Sequence, residues 1–170
     1  MLANSKIRVY WVKGDYERHR YYACAFRTAA QRRYLATQQD IPNYTRQTVI
    51  HVQIRGRFVG YGWETCDPGY PCEWDAYAID MREGDGKAVQ KRSGAGAMVD
   101  VLMTPARSLA VLTDVAPPDR ETRTYRVLKI EQNRKIQLDQ GTEIDPRSLA
   151  VSRHLVYWTR GGQARSAHIE

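Results

Sequence analysis

Apolar and polar residues alternate over short runs through most of the chain, the period expected of half-buried β-strands. The clearest run spans 48–63, Thr-Val-Ile-His-Val-Gln-Ile-Arg-Gly-Arg-Phe-Val-Gly-Tyr-Gly-Trp. It predicts a hairpin turning at Arg55-Gly56, because glycine supplies the positive φ that a two-residue loop needs. In that register Ile54 faces Arg57, Val52 faces Val59, Ile50 faces Tyr61 and Thr48 faces Trp63, which collects most large apolar side chains on one face. Val49, His51, Gln53, Phe58, Gly60 and Gly62 fall on the other. A slip of one residue would undo the sorting, so the pattern specifies a register. Glycines within a strand often mark close approach by a ligand or another backbone. The Gly60/Gly62 ground beside His51 is therefore either an open groove or a packed contact.

The same reading extends along the chain. Residues 6–13 form a strand with Ile7, Val9 and Trp11 on one face and Arg8, Tyr10 and Val12 on the other. Residues 18–27 pair with it as a hairpin. Thr28-Ala-Ala-Gln31 has capping-box spacing and good helix formers follow, so a helix is expected over about 28–39. Strands are expected at 73–81, 97–103, 108–115 and 153–159. A hairpin spans 124–140, turning at Asn133-Arg134, and 146–151 suit one helical turn. The glycine-rich stretch 83–97 reads as a loop, and 161–170 as a tail. The predicted class is α+β: mostly antiparallel sheet, with hairpins 6–27, 48–63 and 124–140 and one main helix, partly rolled into a barrel. Residues 1–82 and 98–160 form two subdomains of one compact unit. Arg-Ser-Leu-Ala-Val occurs at both 107–111 and 147–151, but nothing around it repeats, so it is read as coincidence.

The chain has 170 residues, 42% of them hydrophobic, which suffices for a core without staples. No apolar run approaches the ~18–20 residues of a membrane-spanning helix, and the first residues lack a secretory h-region. Three cysteines are fewer than a disulfide framework uses. They point to unpaired thiols and a cytoplasmic location. The spacing Cys66-x₅-Cys72 is too wide for the usual metal-binding pair. No metal and no cofactor is expected.

Charge changes the picture more. The net +7 divides into +8 over residues 1–60, −6 over 61–86 and +5 over 87–170. Arginine dominates the cations, and its planar fork suits phosphate. Tyrosine (11) and tryptophan (4) far outnumber phenylalanine (2), and both suit half-buried, half-wet positions. Arg8, Tyr10, Arg18, Arg20, Tyr21, Tyr22, Arg27, Arg32, Arg33 and Tyr34 lie close in sequence, and the 48–63 hairpin adds Arg55, Arg57 and Phe58. Cations interleaved with aromatics on a sheet bind single-stranded nucleic acid by stacking bases and contacting phosphates. A nucleic acid or another polyanion is therefore the expected partner. The acidic segment 61–86 offers a second surface, for a protein partner.

Catalytic signals are sparse. No phosphate-binding, nucleophile-elbow or zinc-hydrolase motif occurs. Lys87, Lys91 and Arg92 in the expected 83–97 loop are candidates for cradling a phosphate. His51 with Glu73 and Asp75 is the one constellation that would serve a small phosphodiesterase or transferase. The sequence favours a non-enzymatic nucleic-acid-associated protein, with a protein-interaction module and this hydrolytic site as alternatives.

Overall fold

The computed structural model describes residues 1–4, 7–14, 18–25, 32–40, 45–82, 87–116 and 121–170, with Arg32, Thr37, Gln39, Asp40, Lys87 and Val89 described in backbone only. Among these residues there is no helix, and the fold is all-β. The strands are β1 (Leu2–Ala3), β2 (Ile7–Lys13), β3 (His19–Ala25), β4 (Arg32–Asp40), β5 (Arg46–Arg55), β6 (Phe58–Cys66), β7 (Glu73–Asp80) and β8 (Lys87–Ala95). Then follow β9 (Ala97–Met103), β10 (Leu109–Asp114), β11 (Tyr125–Glu131), β12 (Arg134–Gly141), β13 (Ala150–Ser152), β14 (Leu155–Arg160) and β15 (Gln163–His168).

Every ladder is antiparallel and joins neighbours in sequence. The sheets run β1 to β8, β9 to β12 and β13 to β15. β4 and β5 share only the pairs Gln39↔Gln47 and Asp40↔Arg46. The eight-stranded sheet is therefore two four-stranded leaves hinged at one corner. The molecule is a stack of four antiparallel leaves, each a meander. It is not a closed barrel.

Three apolar layers fill the gaps between leaves. Ile7, Val9, Ala23 and Leu35 of the first leaf pack on Val59, Tyr61, Ile79 and Met81 of the second. Trp74, Ala76 and Ala78 of the second pack on Met98, Val101, Met103, Leu109, Val111, Leu128 and Ile130 of the third. Ala110, Leu112 and Val127 of the third pack on Leu149, Val156, Trp158 and Ile169 of the fourth. The third leaf is thus covered on both faces, and every residue of β10 is buried. A strand covered on both sides reads as a continuous apolar run, as Leu-Ala-Val-Leu does here.

The expected helix is the main correction. Residues 32–40 form β4, while the expected start of the helix, 28–31, lies outside the described residues. Leu35 and Ala36 are buried and Tyr34 is half-exposed, beside Tyr22 on β3. Tertiary pairing overrides the helix propensity of this segment, which is worth only tenths of a kcal/mol per residue. The glycine-rich stretch also holds a strand, β8, and the presumed tail supplies β15 and the fully buried Ile169. The two copies of Arg-Ser-Leu-Ala-Val lead into β10 and β13, at different positions in their leaves.

The central hairpin exists in a shifted register. Arg55 pairs with Phe58, so the loop is Gly56-Arg57, and Gly56 has φ 61°. Glycine at the first loop position is the mark of a type II′ turn, one residue on from the expected turn. A bulge then sets His51 and Val52 against Tyr61, with His51 at φ 40°. Ile50 is thereby turned toward the third leaf, while Val49, Val52 and Ile54 face the first. The other expected hairpin, in the third leaf, also turns one residue off, at Gln132-Asn133, both with positive φ.

The glycine face of β6 is a packed contact. A Cβ on Gly60 would sit 2.9 Å from Met103 Cβ, and one on Gly62 would sit 2.1 Å from Met98 Sδ. β9 therefore lies directly on the β6 backbone, and no groove opens beside His51. Gly60→Ala is expected to destabilise the protein by about 1–3 kcal/mol, since Met103 Cβ is fixed to its backbone. Chemical denaturation would measure it. Gly62→Ala meets the movable end of Met98, so Met98→Ala in the same chain should recover part of its cost.

A polar brace ties the third leaf to the fourth. Trp158 Nε1 and an Arg160 guanidinium nitrogen donate to the two oxygens of Asp139, at 2.8 and 2.7 Å. Burial works to raise the Asp139 carboxyl. The bonds from Trp158, the Gln140 backbone and Arg160 outweigh it and hold the group below its ordinary value. A depressed carboxyl stabilises the fold above its unfolded pKa, ~4, and this contribution is lost as pH falls through the folded value. Asp139→Asn should flatten the stability profile below about pH 4, as followed by thermal melts on acidification.

Candidate nucleic-acid interface

Among the described residues no further leaf packs on the outer face of the first. Alternation along β2, β3 and β4 sends Ile7, Val9, Ala23 and Leu35 inward and the intervening side chains outward. Cross-strand register arranges the residues of this phase in three rows, with Arg32 and Thr37 placed by backbone pairing alone. Arg8, Cys24 and Arg32 form one row. Tyr10, Tyr22 and Tyr34 form the next, and Val12, Arg20 and Thr37 the third. A bulge between Tyr21 and Tyr22 brings Tyr34 into line. The Tyr10 and Tyr22 rings stack at 5.7 Å between centroids, and Tyr22 meets Tyr34 edge-on at 6.0 Å. Tyr34 is 52% exposed, and Arg8 and Arg20 are exposed on either side of the aromatic row.

Of the expected binding set, Arg8, Tyr10, Arg20 and Tyr22 come together here, and Arg32 joins them by backbone position. The others go elsewhere. Arg33 pairs with Ala23 and so points into the layer shared with the second leaf. Its charge acts there on Tyr61 and Tyr77. Burial, followed by the Asp75 carboxylate, pushes the Tyr77 hydroxyl up to about 12. Arg18 is half-buried at the foot of β3, where its carbonyl accepts from Gly14 at 2.7 Å. Arg55, Arg57 and Phe58 sit at the tip of the central hairpin. Arg57 is paired with Asp80 at 2.9 Å, and Phe58 lies between the Arg57 and Arg107 guanidinium groups, 4.9 and 5.2 Å from its centroid. Cations occupy that ring, so it is no platform for a base.

The hydrolytic constellation does not assemble. His51 Nδ1 lies 2.8 Å from Asp100 Oδ1, on the third-leaf side of β5. Asp75 accepts from Ser93 and, at 3.2 Å, from the Tyr77 hydroxyl on the first-leaf side. Glu73 and Asp75 instead line a cavity of about 320 Å³ with Trp63, Thr65 and Ser93. The imidazole is therefore across the sheet from both carboxylates. Lys87, Lys91 and Arg92 lie on strand β8 rather than in a loop, and Lys91 sits 5.5 Å over the Tyr77 ring. A strand does not curl its amides around a phosphate as a glycine-rich nest does.

Most of the acidic segment serves internal contacts. Glu64 is buried, accepts from the Met98 backbone at 2.5 Å and is paired with Arg46 at 3.5 Å. Asp67 accepts from Thr45, and Asp80 holds Arg57. Glu73 is exposed, and Glu83 and Asp85 lie outside the described residues. Cys66 and Cys72 form a disulfide, where unpaired thiols were expected. The Asp67-Pro-Gly-Tyr-Pro turn between them brings their Cα atoms to 4.2 Å. Ligand atoms of Glu64 and the two cysteines lie within 4.8 Å of one another. The bridge occupies both sulfurs, which bind metal as thiolates.

No family model, curated protein or solved structure matches the chain. Tyr34 was in the expected cluster, but a helical 28–39 left its place in the sheet row beside Tyr22 unread. The disulfide had only the tight Pro-Gly turn to announce it.

Burial raises the Glu64 carboxyl, and the Met98 amide and Arg46 pull the other way. Glu64→Gln keeps an acceptor for the Met98 N–H and is expected to fold normally. Glu64→Leu strands that buried donor and should cost about 1–3 kcal/mol by urea titration.

Proposed function

We propose that the chain is a non-enzymatic binding protein that takes single-stranded nucleic acid on the outer face of its first leaf. The observation that carries this reading is the Tyr10–Tyr22–Tyr34 row between rows that hold Arg8 and Arg20. Aromatic rings accept bases of any sequence by stacking, and flanking guanidinium groups take the phosphates. The net charge of +7 adds a long-range attraction for a polyanion. The face is a sheet surface and not a cleft, which suits an extended strand rather than a small molecule.

The reading does not extend to a cytosolic location. The Cys66–Cys72 bridge persists where the surroundings are oxidising. Among the described residues no helix is long and apolar enough to cross a membrane. Docking of a protein through the acidic segment loses support, because Glu64, Asp67, Asp75 and Asp80 are engaged within the chain.

The test is fluorescence anisotropy with a labelled oligopyrimidine across a salt series. Affinity should fall steeply as salt rises. Tyr22→Ala and Tyr34→Ala should each weaken binding by about 1–3 kcal/mol, the worth of one stacked base. Arg20→Ala should lower the salt slope by about one. Heparin supplies charge without bases. If the tyrosine changes weaken heparin and oligonucleotide alike, or neither, the stacking reading fails.

A further inference from the structure

The tip of the central hairpin gathers charge that the fold does not neutralise. Arg55 and Phe58 close the hairpin as a pair, and Phe58 pairs in turn with Asp80 on β7. These three therefore stand in one row, on the face toward the third leaf where Phe58 packs. Arg57 lies in the loop between Arg55 and Phe58. From the third leaf comes Arg107, in the turn that joins β9 to β10. Among the described residues the only ion pair that these three arginines make is Arg57 with Asp80. Three positive charges thus meet one negative, a surplus of two.

Two of the three guanidinium groups are held in place. Arg57 and Arg107 sit over the same Phe58 ring, 4.9 and 5.2 Å from its centroid. Arg57 Nε donates to Asp80 at 3.0 Å, and the Arg57 carbonyl accepts from Met81 N at 3.0 Å. Arg107 Nε donates to the Ala106 carbonyl at 3.3 Å. Among the described residues each group is bonded through Nε alone, so both Nη ends are left to a ligand. Arg107 has φ 76°, a left-handed backbone that a non-glycine residue adopts at a cost. The turn fixes it there, since Arg107 N donates to Thr104 O at 3.0 Å and Thr104 and Ser108 are both buried. The strained residue is the one that sends its guanidinium to the ring. Strain of this kind clusters at ligand sites.

We propose that this corner binds a phosphate monoester, whose oxygens take the Nη groups of Arg57 and Arg107 while Arg55 adds a third charge. The planar guanidinium fork matches phosphate and binds it in bidentate fashion. A phosphate monoester carries about −1.5 to −2 at neutral pH, which matches the surplus, whereas a single carboxylate would leave half of it unmet. Side chains already held over a ring and through Nε lose little freedom when the ligand arrives. The Phe58 ring, covered by cations, acts as their platform and not as a seat for a base. The site lies between the second and third leaves and does not depend on the tyrosine row of the first.

Inorganic phosphate is the first probe, added at constant ionic strength with acetate as the control. The side-chain N–H signals of Arg57 and Arg107 should shift with phosphate in NMR titrations and stay in place with acetate. Arg107→Gly suits a left-handed backbone better than arginine does, so it should melt no lower than the parent chain. It should nevertheless weaken phosphate binding about tenfold or more. Phe58→Leu keeps every charge and removes the ring, and should weaken binding severalfold. Two further probes separate the sources of the phosphate. If an oligopyrimidine with a terminal phosphate outbinds its unphosphorylated twin, and the gain is lost in Arg107→Gly, the phosphate is that of a strand end. If glycerol phosphate binds and that gain is absent, it is that of a small molecule. The proposal is overturned if phosphate leaves both arginine signals unmoved, or if acetate moves them equally. It is also overturned if folded Arg107→Gly binds phosphate undiminished.

Discussion

The packing of the β9 methionines against the bare backbone of β6 sets the rest of the structure. Gly60 and Gly62 leave room for Met103 and Met98 to lie where side chains would otherwise stand. That close approach joins the second leaf to the third, and it requires every neighbouring strand to be in phase with it. The bulge at His51 and Val52 is one consequence, since it turns Ile50 into the same layer. Another is the burial of Glu64, which must then accept the Met98 amide. Interiors at crystal-like density transmit such constraints because little void exists to absorb them.

The stack explains where chemistry is left over. Several charges near the interior layers are spent within the fold: Asp139 on Trp158 and Arg160 and Asp100 on His51 join leaves, and Asp80 holds Arg57 within the second leaf. A carboxylate used in this way holds the fold and is not available to a ligand. Among the described residues only the terminal leaves have a broad face with no further leaf upon it. The first presents tyrosines and arginines.

Strand content and hairpin pairing were legible in the sequence because period-two alternation is a local signal. The alternation of 6–13 and the hairpins around 48–63 and 124–140 all return in the fold. Registers were less legible. Arg55-Gly56 and Gly56-Arg57 are both acceptable loops around one glycine, and a bulge leaves no mark in the apolar pattern. The helix at 28–39 failed for a different reason. Alanine, glutamine and arginine favour a helix by tenths of a kcal/mol per residue, and burial of Leu35 with alignment of Tyr34 decides otherwise. Arg8, Tyr10, Arg20 and Tyr22 of the candidate binding set share one face, because that placement depends only on alternation. Arg33, Arg57 and Phe58 lie elsewhere, beside Tyr77, Asp80 and Arg107, which tertiary structure alone brings close.

Among the described residues each apolar layer joins a leaf to the one before it or the one after it, so the stack is a short one-dimensional array. In such arrays stability is close to a sum of unit and nearest-neighbour contributions. The third leaf is held on two sides and the first and fourth on one. Opening should therefore begin at the ends and reach β10 last. A ligand on either end leaf would then tighten the leaf it binds and, through one shared layer, the leaf behind it.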